Sequence, residues 1–302
     1  MADTATLARE QLLPESTGRK RSRAFVSFVR HYPLGAFGAF VAVLLILMAV
    51  MPGAFARQNP DLTMLTERYH GISSEHWMGQ DQLGRDQYSR IVYGARTSIM
   101  IGFGVVVFTS FMGVLLGSVS GYAGGWFDTM LQRLVDVGIA LPGLPFIILV
   151  VTSLQLMPLV PRLVLSLSIL ISLSQSRIIR GVTLALKQEQ YVEAARALGA
   201  HGSRVVGRHI IPNVLPIVLV SSSTLVGAAV LIESSLSFLG YGVQPPTASW
   251  GRQLNDAREF MVRAPHLAVF PGLAIFLTVY AFNMLGDAIR DKIDPRLRGG
   301  RR

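Results

Sequence analysis

The chain has 302 residues, 51% of them hydrophobic and only 15% charged, against roughly 25% charged in an ordinary soluble domain. That balance excludes a soluble globular enzyme as the default and points to a chain held largely in lipid. The lack of cysteine removes disulfide frameworks, thiol nucleophiles and cysteine-based zinc or iron–sulfur sites, while the net charge of +10 must be placed along the chain before it is read as a nucleic-acid signal.

A polar tail, residues 1 to 33, comes first, with a basic amphipathic segment around Ser22 to Tyr32 expected to lie along the membrane surface. A spanning helix needs about 20 mainly apolar residues, and six stretches qualify. The first, Leu34 to Met51, is uncharged and ends at Pro52. Ala54-Phe55-Ala56 behind it has the look of a signal-peptide cleavage site, but the polar lead-in and the apolar run are both longer than a signal peptide needs, so a retained helix is expected. The segment from 52 to 96 carries balanced charge with His70, His76, Asp81 and Asp86. Their spacing fits no helix-face metal motif, so a docking surface is expected there and no metal.

Thr97 to Val119 is the second span. In it Gly113, Gly117 and Gly121 recur every fourth residue, which permits close helix contact in lipid, first of all within this chain. Val137 to Met157 contains Pro142 and Pro145 and is expected to bend or break near its start. Leu163 to Ser176 is short and serine-rich. Val214 to Leu239 contains Glu233, an intramembrane carboxylate that either lines or pairs across an outer gate or marks a helix end in the water interface. Ser249 to Arg263 reads as a short interfacial helix with Trp250 at headgroup depth, and Leu267 to Leu285 closes the series.

Six spans put both tails on one side. Of the 28 Lys and Arg, 19 fall on that side and nine on the other, which places the tails and the loop from 177 to 213 in the cytoplasm. The charge is thereby explained without nucleic acid. Within that loop, Lys187 to Leu198 is rich in helix formers and Gly199 suits a left-handed stop. Ser203 is positioned to cap a second helix, in which Val205, Val206, His209 and Ile210 share a side until Pro212 ends it. Small Ala194, Ala195 and Ala197 allow close approach, and Glu193, Arg196, Arg204 and Arg208 supply orienting charge. The pair reads as a rigid knob for a cytoplasmic partner, or as an amphipathic loop resting on headgroups.

Enzyme motifs are missing. There is no His-Glu-x-x-His, no Gly-x-Ser-x-Gly and no Gly-Lys-Ser/Thr, the only lysines being Lys20, Lys187 and Lys292. Glu233 and Asp287 could serve an intramembrane acid catalyst, but no nucleophile or metal motif accompanies them. Any ATP-driven work must draw on another subunit.

Glu193-Ala194-Ala195, Gly199 and Ile211-Pro212-Asn213 together resemble the EAA loop of bacterial ABC importer permeases. The run from His76 to Asp86, Leu236-Ser237-Phe238-Leu239-Gly240, Gln244-Pro245-Pro246, Ser249-Trp250-Gly251, Asn283-Met284-Leu285-Gly286-Asp287 and Asp294-Pro295-Arg296-Leu297 extend the likeness over roughly residues 20 to 298. They are similar to the second permease subunit of the dipeptide, oligopeptide and nickel importers. Leu173-Ser174-Gln175-Ser176-Arg177 and Gln190 depart from that pattern.

The resemblance implies an all-α polytopic protein with about six transmembrane helices and the type I ABC importer permease fold. It implies a cytoplasmic tail (1 to 33) and a permease domain (34 to 302), with an extracytoplasmic loop at 52 to 96 and a coupling loop at 177 to 213. Glu193, Ala194, Ala195, Arg196, Gly199, Arg204, Arg208 and Pro212 would then couple to an ATPase. The implied partners are a homologous permease, two ABC ATPase subunits that bind ATP and Mg, an extracytoplasmic substrate-binding protein and membrane lipid. The chain itself would hold no cofactor. It would sit in the bacterial inner membrane with both termini cytoplasmic, moving short peptides by alternating access. Glutathione, nickel chelates or another peptide-like solute are the alternatives, and a non-transporting receptor or scaffold is the remote one.

Overall fold

The computed structural model describes residues 29–293. The expected amphipathic segment, except its last few residues, and the Asp294 to Leu297 motif lie outside the described residues. Among the described residues there are helices and no strand beyond one isolated bridge, Gln80 with Asp86. Among the described residues five helices are long and apolar enough to cross a membrane, and the number is six if one bent pair is counted as a single span.

Helix α1, Pro33–Val50, starts on a proline, whose missing N–H costs nothing in a first turn. Its Gly35 and Gly38 lie against Ala288 and the Ala281 carbonyl of the last helix. Helix α2, Gln87–Ala123, begins well before the expected Thr97, because Asp86 caps it by accepting the Ser89 N–H at 2.8 Å and its first turns are buried under the loop that precedes it. The third span is two helices, α3 (Gly125–Ala140) and α4 (Gly143–Ser153), meeting at 100°. Pro142 caps α4, and Pro145 falls in its first turn, where no N–H is needed.

Helix α5, Leu159–Leu186, is 28 residues long and overruns the expected Leu163 to Ser176 at both ends. Ser166, Ser168, Ser172 and Ser176 each donate to a carbonyl of the preceding turn, so serine-rich sequence is compatible with lipid. After them, Arg177 and Arg180 are paired with Asp136 and Asp128 of α3, so charge does not end the helix.

Helix α6 is Gln190–Ala197, and α7 runs unbroken over Gly202–Phe238. A short α8, Trp250–Ala257, caps the far end, and α9, His266–Ile293, returns beside α1. One apolar core joins α1, α2, α7, α8 and α9 through Val41, Ile99, Val230, Trp250 and Phe282. A second joins α2, α4, α5 and α7 through Ile101, Ile147, Leu167 and Leu236. In the five long helices only 28% to 39% of the most apolar stretch is buried. The remaining rows, such as Val107, Phe111 and Leu115, face lipid or another chain.

Trp250 corrects the expectation of a headgroup anchor. It is 0% exposed, and its indole N–H donates to the Ile91 carbonyl at 3.0 Å. Gly94 leaves room for its ring, and Gly251 lets α8 press onto the Ser234 backbone.

Candidate functional site

The polar interruption folds into a knob whose turn is held by backbone bonds. Helix α6 ends with Gly199 at φ +79°. The Gly199 N–H bonds to the Arg196 carbonyl at 2.9 Å, and the Ala200 N–H reaches back to Ala195 at 3.0 Å. That pair of bonds is the Schellman stop, and the positive φ is why glycine stands there.

The second arm differs from expectation in two ways. Ser203 does not cap it; the helix starts at Gly202 after His201, with no side-chain cap. Nor does Pro212 end it. The turn Val206–Ile210 is a π-turn, and the Ile211 N–H bonds to Val206 rather than to the carbonyl four residues back. The widened turn leaves no donor required at position 212, and α7 continues through Pro212 and Pro216 into the membrane. The second arm and a membrane span are therefore one rod of 37 residues, Gly202–Phe238.

Beneath the knob lies a third apolar core. Val192 of the first arm and Val205, Ile210 and Val214 of the second are all 0% exposed and pack on Ile179 of α5. Tyr122, at the end of α2, is the shared bearing. The Arg196 guanidinium sits 4.9 Å from its ring centre and Lys187 Nζ 5.5 Å, while Lys187 also donates to the Tyr122 carbonyl at 2.6 Å. Gly202 lies so close that an added Cβ would be 3.0 Å from the ring. Both arms, α2 and α5 thus meet at one side chain.

The outward face holds most of the expected residues. Glu193, Ala194, Arg196, Gly199, Arg204, Arg208 and Pro212 are exposed and Ala195 is half-buried. Leu198 projects from the tip at 89% exposure. Among the described residues, the side chains of Glu193, Arg204 and Arg208 have no hydrogen bond or ion pair, which leaves two positive charges and one negative free for a partner. Arg196 differs, since it is engaged with Tyr122.

Gly113, Gly117 and Gly121 make their contacts within the chain. An added Cβ would stand 2.7 Å from Gln175 Cγ, 2.5 Å from the Ser176 carbonyl oxygen and 2.9 Å from Thr183 Cβ, all on α5. Glu233 is not at a helix end in water. It is 0% exposed and accepts hydroxyl bonds from Ser98 at 3.1 Å and Ser237 at 2.7 Å. Ser237 in turn accepts the Val243 N–H at 3.0 Å. The carboxylate ties α2 and α7 to the connection leading into α8.

In the loop between α1 and α2, His76 Nδ1 lies 2.9 Å from Asp86, and Arg85 donates to Asp81 at 2.7 Å. These polar side chains fix the entry into α2. Among the described residues no group of three or more His, Cys, Asp or Glu is arranged to hold a metal ion.

Residues 113–299 match the family of binding-protein-dependent transport system inner membrane components. The chain belongs to this family. The glutathione transport system permease protein of Pectobacterium atrosepticum is 42% identical over 275 residues, which cover 90% of this permease and 89% of that one. Those of Escherichia coli O6:K15:H31 and Shigella boydii are 40% identical over 272 residues, covering 86% and 87%.

Asp128, Asp136 and Tyr122 of this permease escaped the sequence reading. Asp128 receives both Arg180 Nε and Nη2 at 2.6 Å, a bidentate pair that also takes the Ser120 hydroxyl, and Tyr122 carries the knob. Asp128 and Asp136 are eight residues apart, on one face of α3. That spacing, set against Arg177 and Arg180, was the available signal.

Proposed function

We propose that this permease is one of two pathway-forming subunits of an ATP-driven, binding-protein-dependent importer of short peptides, glutathione among them. It pairs with a homologous permease in the inner membrane, with its termini and the knob on the cytoplasmic side, as the excess of Lys and Arg there favours. Two ATPase subunits, which hold the ATP and Mg, dock on the knobs, and an extracytoplasmic binding protein delivers solute at the opposite end.

The observation that carries the reading is the continuity of the knob's second arm with α7. A force applied by an ATPase at Arg204 or Arg208 moves a membrane rod directly, because no flexible link intervenes. The first arm, fixed to Tyr122 and Ile179, passes the same displacement to α2 and α5. Rotation of these rods opens the pathway alternately to the two sides. Glutathione stands first among the solutes because the relatives carry that name over most of their length. The test is uptake of labelled glutathione and of a labelled dipeptide into proteoliposomes holding the full importer with its binding protein. ATP-dependent accumulation of either supports importer function; accumulation of neither, in vesicles with intact subunits, refutes it.

A further inference from the structure

At the end opposite the knob, a cavity of about 540 Å³ opens between α2, the start of α5 and the connection between α7 and α8. Its volume lies within the roughly 300–1,000 Å³ of small-ligand sites. From α2 it receives Tyr93, Arg96 and Met100, positions three and four apart and so on one helix face. Arg96 is exposed into this space. Among the described residues its side chain makes no ion pair and no hydrogen bond.

The facing wall contains Pro158, Pro161 and Pro246. Proline has a fixed φ and no N–H, so this wall is pre-formed and offers no amide donor at these three positions. An anion entering the cavity therefore finds its strongest donor on α2, at Arg96. Asp61 is the acidic group at the rim, and Arg90 already holds it at 3.4 Å, which weakens it as a competitor for Arg96. An exposed guanidinium at the mouth of a cavity, with no partner for its side chain among the described residues, is free to take a ligand there.

We propose that Arg96 binds a carboxylate of the peptide solute after its release from the binding protein, at the outer mouth of the pathway. The inference rests on the importer reading above. A guanidinium matches a carboxylate with two parallel N–H bonds.

The test is uptake by the complete reconstituted importer, with labelled glutathione and a labelled dipeptide as probes and the loaded binding protein varied in concentration. Arg96→Gln is expected to lower the saturating uptake rate about tenfold, leaving the half-saturating concentration of loaded binding protein unchanged. Arg96→Lys, which keeps the charge, is expected to recover part of the loss and so to separate site chemistry from misfolding. Equal saturating rates in wild type and Arg96→Gln would overturn the proposal, as expected if Arg96 only pairs with lipid phosphate. A raised half-saturating concentration at an unchanged saturating rate would overturn it too, in favour of an acidic residue of the binding protein as the ligand. Wild type that moves neither probe would remove the importer reading and this site with it.

Discussion

Replacing Gly199 by valine isolates the geometry of the knob's turn. Gly199 has φ +79° and nothing within 4 Å of where its Cβ would lie, so the change meets no steric neighbour and acts through the backbone alone. A residue with a Cβ pays roughly 1–2 kcal/mol in the left-handed region, and a β-branched one lies at or above the upper end. At about 2 kcal/mol the turn's population falls roughly 30-fold relative to competing conformations. The bonds from Gly199 to Arg196 and from Ala200 to Ala195 are lost in those conformations, and the two arms no longer hold a fixed angle. The assay is ATPase activity of the reconstituted importer with and without loaded binding protein, beside a check of membrane insertion. Gly199→Val should insert normally and lose most of the stimulation, while Gly199→Asn, which tolerates this φ, should keep most of it. Full stimulation in Gly199→Val would refute the claim that the turn transmits force.

Tyr122→Ala should uncouple ATP hydrolysis from uptake, because it removes the ring held between Arg196 and Lys187, at about 0.5–1 kcal/mol per cation–π contact; Tyr122→Phe should behave as wild type in the ratio of uptake to hydrolysis. Asp128→Asn strips Arg180 of its bidentate partner and should cost up to about 3 kcal/mol of stability, given the partial exposure of the pair, read as a lower thermal unfolding midpoint in detergent. The double variant Asp128→Asn, Arg180→Gln should recover part of that loss. Glu233→Ala leaves the Ser98 and Ser237 hydroxyls without their acceptor, at about 1–3 kcal/mol, whereas Glu233→Gln keeps an acceptor and should transport within about threefold of wild type. A much larger loss of uptake in a stable Glu233→Gln protein would show that the carboxylate does more than tie α2 to α7.

The membrane spans were legible because lipid imposes a length and an apolar composition that local sequence must satisfy. Gly199 was legible for a similar reason, since a helix stop is a local backbone event. The ends of α2 and α5 were not, because they depend on partners distant in sequence. Arg177 and Arg180 read as the edge of a span until Asp136 and Asp128 are brought beside them. Pro212 misled because the rule that proline ends a helix assumes the ordinary hydrogen-bond spacing, and the π-turn before it changes that spacing. Trp250 and Glu233 were placed by residue type, at an interface and at a gate or a helix end in water; packing against Ile91 buries Trp250, and the bond from Ser98 on α2 takes Glu233 away from a helix end in water. On the knob's face, the charges were legible as exposed, but the engagement of Arg196 by Tyr122 was not, because Tyr122 belongs to a helix that ends more than sixty residues earlier.

The chain's lack of cysteine makes a single introduced thiol a clean probe of what the knob touches. Leu198→Cys at the exposed tip, treated with a short bifunctional thiol-to-amine cross-linker in the assembled importer, is expected to join the permease to an ATPase subunit, while Val262→Cys, fully exposed at the opposite end, is expected not to. A cross-link to the ATPase from Val262→Cys and none from Leu198→Cys would contradict the assignment of the knob as the coupling element.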